Sequence, residues 1–285
     1  MPPQTERYLA LARLGRNEWW RYLIGIAIIV FSWIGVGWVP YALLTAHGGG
    51  DTLLQFLAVN FSVIMMLAGL AVTVKFVHRR PLRSLVTADS RIDWVRIARA
   101  ALAWGVIALA TVGVEHLFFP DRYYLSFSAE RFLPFAAVAL VLTPLQTATE
   151  ELVFRAYAMQ GLALVVKPPV VVAGLSAAIF MLPHLLNPEV RQYGAALLGA
   201  SYFVIGLVLA AVTLRDGRLE LAIGLHAANN LALVLIANYE GSVLTSESIF
   251  TARELDPGYT LATLSVGAVI FYGWFFARGR GRAAG

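Results

Sequence analysis

The chain has 285 residues, of which 59% are hydrophobic and only 14% are charged, with a formal net charge of +5. Globular domains average about 45 to 50% apolar and about 25% charged residues, so this composition predicts an integral membrane protein. The absence of cysteine excludes disulfides, thiolate nucleophiles and cysteine-ligated metal sites. The basic residues flank the apolar segments, where anionic lipid and membrane topology explain them, so no nucleic-acid partner is expected.

Hydropathy predicts eight membrane spans of nearly the length, about 20 residues, that a helix needs to cross the hydrocarbon core. In chain order they cover residues 22–44, 53–74, 100–119, 132–149, 170–186, 193–214, 219–237 and 259–276. Little sequence is left for a soluble domain. We therefore predict one all-α polytopic membrane domain, residues 1–285, with eight transmembrane helices.

The Lys and Arg residues predict the orientation of these spans. Seventeen of the 22 fall on the side that holds both termini, four fall on the opposite loops, and Arg155 lies at the end of a span. Cytoplasmic loops carry the excess of basic residues, so both termini are expected in the cytoplasm, in the cell membrane of a prokaryote. Residues 81–99 mix apolar side chains with arginines, which suits either a helix at the lipid surface or a solvated basic loop.

Two adjacent carboxylates and an arginine, Glu150, Glu151 and Arg155, end the fourth apolar segment. An ionised side chain in hydrocarbon costs at least ~2.5 kcal/mol, so such residues are usually paired and functional. On a helix, Glu151 and Arg155 share a face, whereas Glu150 points elsewhere. We predict that Arg155 neutralises Glu151 and that Glu150 is a candidate general base. The alternative is a packing network that holds neighbouring helices in register.

Two further pairs with a spacing of four residues are Phe180 with His184 and His226 with Asn230. Taken singly, His184 could meet interfacial water, and His226 with Asn230 could be polar packing between helices. Together with the glutamates they indicate hydrolysis. A carboxylate and an imidazole can activate water, either as base and orienting partner or as metal ligands. A second histidine with an asparagine can donate hydrogen bonds to an oxyanion.

Other intramembrane mechanisms are disfavoured by the sequence. No aspartate falls inside a predicted span, and neither His-Glu-x-x-His nor Gly-x-Ser-x-Gly occurs. A proton-coupled transporter would also use membrane carboxylates and histidines, but the chain has no internal repeat. The remaining hypothesis is a hydrolase that uses activated water.

The three motifs, Glu-Glu-x-x-x-Arg, Phe-x-x-x-His and His-x-x-x-Asn, stand in this order between residues 132 and 239. In them the chain resembles the CPBP family, the CAAX proteases and bacteriocin-processing enzymes, also called the Abi family. The resemblance implies an eight-helix membrane fold with its catalytic core at about 132–239, and intramembrane endopeptidase activity. It implies that Glu150 and His184 activate water and that His226 with Asn230 serves the tetrahedral intermediate, while Glu151 and Arg155 complete the site.

The resemblance leaves the cofactor and the substrate open. Some members are metalloproteases, so zinc held by Glu150, His184 and His226 is one expectation, and a metal-free set of the same residues is the other. The expected partners are the lipid bilayer and a membrane-associated peptide or protein, lipidated substrates included. A non-proteolytic scaffold or a bacteriocin-immunity-type protein is the alternative function.

The predicted depths of Glu150 and His184 in the membrane disagree. An ordinary fourth span places Glu150 near the cytoplasm, whereas an ordinary fifth span places His184 near the outer face. We therefore predict that the fourth helix continues past Arg155 and kinks near Pro144, or that the fifth helix starts at a shallow depth. The polar cavity is expected to open toward the cytoplasm and to be sheltered by helices four to seven.

Overall fold

The computed structural model describes residues 3–277, so Arg278, Arg280 and Arg282, which contribute to the predicted cytoplasmic charge, lie outside the described residues. The chain forms a helical bundle with a small β-sheet at one end. The helices are α1 Pro3–Leu9, α2 Trp19–Val30, α3 Val39–Ala46, α4 Thr52–Val72, α5 Trp94–Phe118, α6 Ala129–Glu151, α7 Met159–Leu162, α8 Pro169–His184, α9 Pro188–Tyr193, α10 Ala195–Asp216, α11 Glu220–Leu231 and α12 Pro257–Phe276. The strands are β1 Tyr123–Leu125, β2 Ala237–Tyr239 and β3 Phe250–Ala252.

Within residues 3–277, six helical segments are long and apolar enough to cross a membrane. They are Trp19–Ala46, Thr52–Val77, Trp94–Phe118, Ala129–Leu162, Ala195–Asp216 and Pro257–Phe276. Two shorter apolar helices, Pro169–His184 and Glu220–Ile236, occupy the remaining two predicted positions. The chain is a multi-pass helical membrane protein, and the number of eight spans stays a prediction.

The fourth of the long segments contains the Glu-Glu-x-x-x-Arg motif. Its α-helical part ends at Glu151, and a π-helical turn, Leu152–Ala158, connects it to α7. The result is a continuous helical segment of 34 residues, Ala129–Leu162. The predicted continuation past Arg155 is therefore confirmed. Such π-helical turns are frequent at functional sites.

Helix α11 is the central helix of the bundle. It packs against α5, α6 and α10, and every residue from Glu220 to Ala228 is buried. Gly224 makes the contact with α5 possible, because a Cβ atom there would collide with the backbone carbonyl of Ile97. Small residues allow this close approach of helices. On α6, the contact with α11 brings Glu151 to His226.

The N-terminal helix α1 closes one end of the bundle. Tyr8 is fully buried and donates a hydrogen bond to the carbonyl of Leu85 at 2.9 Å, and Thr5 donates one to the carbonyl of Leu214 at 2.6 Å. Leu85 belongs to a short 3₁₀ turn, and helical structure resumes only at Trp94. Neither reading of residues 81–99, a lipid-surface helix or a solvated basic loop, describes the whole segment, because residues 84–87 are buried and Leu85 accepts the hydrogen bond of Tyr8.

The β-sheet lies at the opposite end. Strand β3 pairs antiparallel with β1 and parallel with β2. Helix α5 begins where Arg96 pairs with Asp216, next to α1, and ends just before β1. Its 25 residues correspond to about 37 Å at 1.5 Å per residue, so the sheet and α1 lie at different ends of the bundle. The all-α prediction did not include this sheet.

Candidate active site

Glu151 lies between two partners, His226 and Arg155. Its Oε1 atom accepts a hydrogen bond from Nδ1 of His226 at 2.7 Å and lies 3.0 Å from Nη1 of Arg155. An ionised carboxylate only accepts hydrogen bonds, so the proton of this bond belongs to Nδ1 of His226. The predicted Glu151–Arg155 pair is observed, and the histidine contact is an addition that the spacing of the motifs did not show.

Arg155 is completely buried, and an aromatic ring shares the stabilisation of its charge. Among the described residues, none of its nitrogens has a hydrogen-bond partner of good geometry, although the ion pair with Glu151 is close. Its guanidinium carbon lies 4.0 Å from the ring centroid of Phe180, at a distance where the ring face attracts a cation. Phe180 of the second motif therefore supports the arginine of the first.

His184 is held in one orientation by α8 and α10. Its Nδ1 atom lies 2.7 Å from the carbonyl oxygen of Phe180, so Nδ1 donates and Nε2 is left to accept. Its ring packs between the rings of Phe180 and Tyr202, at centroid distances of 4.3 Å and 4.7 Å. Tyr202 was not predicted, because it lies in a different helix and belongs to no motif.

Glu150 has fewer partners than Glu151. Its Oε1 atom accepts a hydrogen bond from Nε2 of Gln146 at 3.4 Å, and its Oε2 atom lies 3.8 Å from Nε2 of His226. Gln146 was also missed, although its position one helical turn before Glu150 was a usable signal. No arginine in the described part of the chain pairs with Glu150, so its carboxylate is available to accept a proton from a bound molecule.

Asn230 is oriented by a chain of two hydrogen bonds. Trp104 donates from Nε1 to Oδ1 of Asn229 at 3.2 Å, and Asn229 donates from Nδ2 to Oδ1 of Asn230 at 3.2 Å. With its oxygen used as an acceptor, Asn230 keeps its NH₂ group for donation. Trp104 and Asn229 are therefore two further site residues that the motifs did not identify.

One cavity of about 420 Å³ joins these groups. Glu150, His184, His226 and Asn230 all line it, whereas Glu151 and Arg155 lie behind its wall. The disagreement in depth between Glu150 and His184 is thus resolved by the continuous segment Ala129–Leu162, which begins at the sheet end, and by the shortness of α8, only 16 residues long.

The cavity extends toward the end of the bundle that carries the β-sheet. Its wall there includes Tyr239 of β2 and the exposed residue Glu254, which follows β3. This end lies opposite α1. Cytoplasmic termini and a cavity that opens to the cytoplasm, both expected above, therefore cannot both hold.

A charged network borders the cavity at the sheet end. Arg122 pairs with Glu115 at 2.6 Å and with Asp256 at 3.0 Å, and Tyr123 donates a hydrogen bond to Glu115 at 2.6 Å. The backbone N–H of Tyr259 and the guanidinium of Arg122 hold the pKa of Asp256 below its usual range. This network ties the start of α12 to the end of α5.

The three expected zinc ligands, Glu150, His184 and His226, line the same cavity. In the part of the chain that the structure describes, no three His, Asp or Glu side chains form a group that could hold a metal ion. His184 and His226 do have the required donor chemistry, because Nδ1 of each is held by another group and Nε2 is left for a ligand. Zinc held by these residues stays a prediction.

Comparison with known proteins agrees with the motifs. Residues 129–232 match the family described as type II CAAX prenyl endopeptidase Rce1-like, which confirms the resemblance to the CAAX proteases. YyaK, an uncharacterized protein of Bacillus subtilis (strain 168), is 27% identical over 95% of this chain and 97% of its own length. No solved structure matches the chain.

Proposed function

We propose that this protein is an intramembrane endopeptidase that hydrolyses a peptide bond of a membrane-associated peptide or protein with water activated by Glu150 and His184. The observation that carries the proposal is the convergence of Glu150, His184, His226 and Asn230 on one cavity, within the segment that matches the family. Four polar groups from three helices would not meet there for packing alone, because an ion pair is enough to hold helices in register.

In the first step, Glu150 is the general base. A water molecule bound between its carboxylate and Nε2 of His184 transfers a proton to Glu150, and the water oxygen attacks the carbonyl carbon of the scissile bond. Gln146, 3.4 Å from Oε1 of Glu150, fixes the direction of the carboxylate. The product of this step is a tetrahedral intermediate with a negative oxygen.

That oxygen is stabilised by His226 and Asn230. Nδ1 of His226 donates to Glu151 at 2.7 Å, which orients the ring. The ring donates to the oxyanion from Nε2 when that atom also carries a proton, and Asn230 donates from its NH₂ group. In the last step, Glu150 returns its proton to the leaving amine, and the carbon–nitrogen bond breaks. The proton count balances, since the water supplies the hydroxyl of the new acid and the proton of the new amine.

The fold that we propose around this chemistry has eight spans and cytoplasmic termini, in the cell membrane of a prokaryote. Its support is the excess of basic residues on the side of the termini. With this orientation the cavity opens to the outside of the cell. Because the chain lacks cysteine, Glu130→Cys and Arg13→Cys test it: an impermeant maleimide added to intact cells labels the first variant and not the second. The reverse labelling contradicts the orientation.

The function is tested with purified protein in lipid nanodiscs and a library of fluorogenic membrane peptides, with and without a prenyl group. We expect Glu150→Gln to lower the cleavage rate by about 10²- to 10⁴-fold, the usual contribution of a general base. The matched control is Glu130→Gln, because Glu130 lies on the same helix and is exposed. Cleavage that is indifferent to Glu150→Gln rejects the assignment.

The alternative, a non-proteolytic scaffold or immunity-type protein, has its own outcome in cells. A phenotype that survives both Glu150→Gln and His184→Ala indicates that role. Zinc, which would lower the pKa of a bound water if held by Glu150, His184 and His226, is tested by elemental analysis of the purified protein.

A further inference from the structure

The wall of the catalytic cavity is acidic. Among the described residues that line it are five carboxylates and no lysine or arginine. The five are Glu115, Glu150, Glu189, Glu254 and Asp256. Arg122, which does not line the cavity, pairs with both Glu115 and Asp256, so its single charge balances one of their two. Glu150 belongs to the catalytic group, so Glu189 and Glu254 are the remaining wall carboxylates, and no described arginine or lysine pairs with them.

Glu189 is the unusual member of this set. Only 1% of its surface is exposed, yet the described part of the chain contains no cation within ion-pair distance of it. Its Oε1 atom accepts hydrogen bonds from the neutral hydroxyls of Tyr202 at 2.8 Å and Tyr239 at 3.3 Å, while its Oε2 atom has no hydrogen-bond partner. Burial of a carboxylate without a counter-charge is costly unless a ligand supplies one.

A second acceptor in the same wall is also unpaired. Gln146 is buried, and its Oε1 atom has no hydrogen-bond partner among the described residues. Both unpaired atoms are acceptors, so a molecule that completes their hydrogen bonding has to bring N–H or O–H donors. At Glu189 the preferred donor is positively charged, because it also balances the carboxylate.

Glu189 lies close to the reacting groups. Tyr202 contacts both Glu189 and His184. Its ring packs on the ring of His184 at a centroid distance of 4.7 Å, and its hydroxyl donates a hydrogen bond to Glu189 at 2.8 Å. The carboxylate is thus separated from the imidazole by about one tyrosine side chain. A lysine or arginine side chain of a peptide bound at His184 is long enough to bridge this separation.

We propose that Glu189 is a specificity-determining residue that binds the cationic side chain of a lysine or arginine next to the scissile bond of the substrate. This inference rests on the proposed endopeptidase function and adds the class of its substrate, a basic peptide segment. The same acidic wall disfavours substrates that bring an acidic side chain into the cavity, because like charges meet there without a counter-ion.

The test is a binding measurement on the Glu150→Gln variant in nanodiscs of neutral phosphatidylcholine, so that neither hydrolysis nor lipid charge contributes. The probes are three pools of dye-labelled Leu/Ala membrane peptides, which carry one lysine, one norleucine or one glutamate at varied positions. We expect the lysine pool to bind about tenfold more tightly than the norleucine pool. Norleucine leaves the buried carboxylate without its charged partner, and such a loss weakens binding by at least this factor.

The variant Glu150→Gln/Glu189→Gln is expected to bind the lysine and norleucine pools equally. Its matched control is Glu150→Gln/Glu240→Gln, because Glu240 is exposed, bonds Tyr124 and does not line the cavity. The control should keep the lysine preference. The proposal is overturned if lysine has no advantage, if the advantage survives Glu189→Gln, or if Glu189→Gln weakens all three pools equally.

Failure of the proposed function gives a different pattern. If the wild-type protein cleaves no peptide while the lysine preference depends on Glu189, the binding site stands and the peptidase proposal fails. If peptides are cleaved in a manner that depends on Glu150 but lysine has no advantage, the peptidase stands and the specificity proposal fails.

Discussion

Glu151 and Glu189 are two almost fully buried carboxylates in the same bundle, and their surroundings differ. Glu151 meets Arg155 at 3.0 Å and His226 at 2.7 Å. Within residues 3–277, Glu189 contacts only neutral groups, the hydroxyls of two tyrosines and the amide of Asn187. A carboxylate whose charge is balanced within the protein holds the site together, whereas one that lacks a counter-ion is suited to bind a ligand. The neighbours of a buried charge therefore indicate its function better than its burial does.

The largest expected effect comes from breaking the balanced cluster. Arg155→Met leaves Glu151 buried with only His226 as a partner, and removing one partner of a buried ion pair typically costs about 3 to 5 kcal/mol. We expect a correspondingly lower free energy of unfolding, measured by denaturant titration in detergent micelles.

The double variant Glu151→Gln/Arg155→Met is the control for that loss. Replacing both charges by uncharged groups of similar volume is often nearly neutral, so the double variant should recover much of the lost stability. If the single variant is no less stable than the double variant, the two residues do not form a balanced pair.

A smaller effect is expected from Tyr202, which links the two regions as a positioning residue. Tyr202→Leu removes the ring that packs on His184, and an aromatic contact of this kind is worth about 0.5 to 1.5 kcal/mol, which predicts a roughly two- to tenfold lower kcat. Tyr202→Phe keeps the ring and should restore most of this loss on a norleucine-containing substrate. Equal losses in both variants would show that the hydroxyl, and not the ring, matters.

The smallest effect concerns the network at the sheet end. Because Tyr259 and Arg122 hold the pKa of Asp256 below its usual range, the stabilisation by its charge is present above about pH 4 and is lost as the pH falls further. Asp256→Asn should therefore lower the unfolding temperature at pH 6 and have a diminishing effect below about pH 4. A scan of unfolding temperature from pH 6 down to about pH 2 checks this, and a difference between the two proteins that stays constant over that range contradicts it.

Local periodicity was enough to predict part of the site. Glu151 and Arg155 are one helical turn apart, so their contact follows from the geometry of an α-helix. The contact of Glu151 with His226 could not be predicted in the same way, because 75 residues separate them and only the packing of α11 against α6 brings them together. Tyr202 and Glu189 were missed for the same reason.

Composition and the spacing of near neighbours were enough to predict a helical membrane protein, the position of its apolar segments and the three motifs that carry its polar groups. They could not predict which end of the bundle the cavity reaches, that a β-sheet borders this end, or which buried carboxylate has no counter-charge among the described residues. These features arise from contacts between helices far apart in the chain, and such contacts depend on side-chain shape and close packing rather than on periodicity.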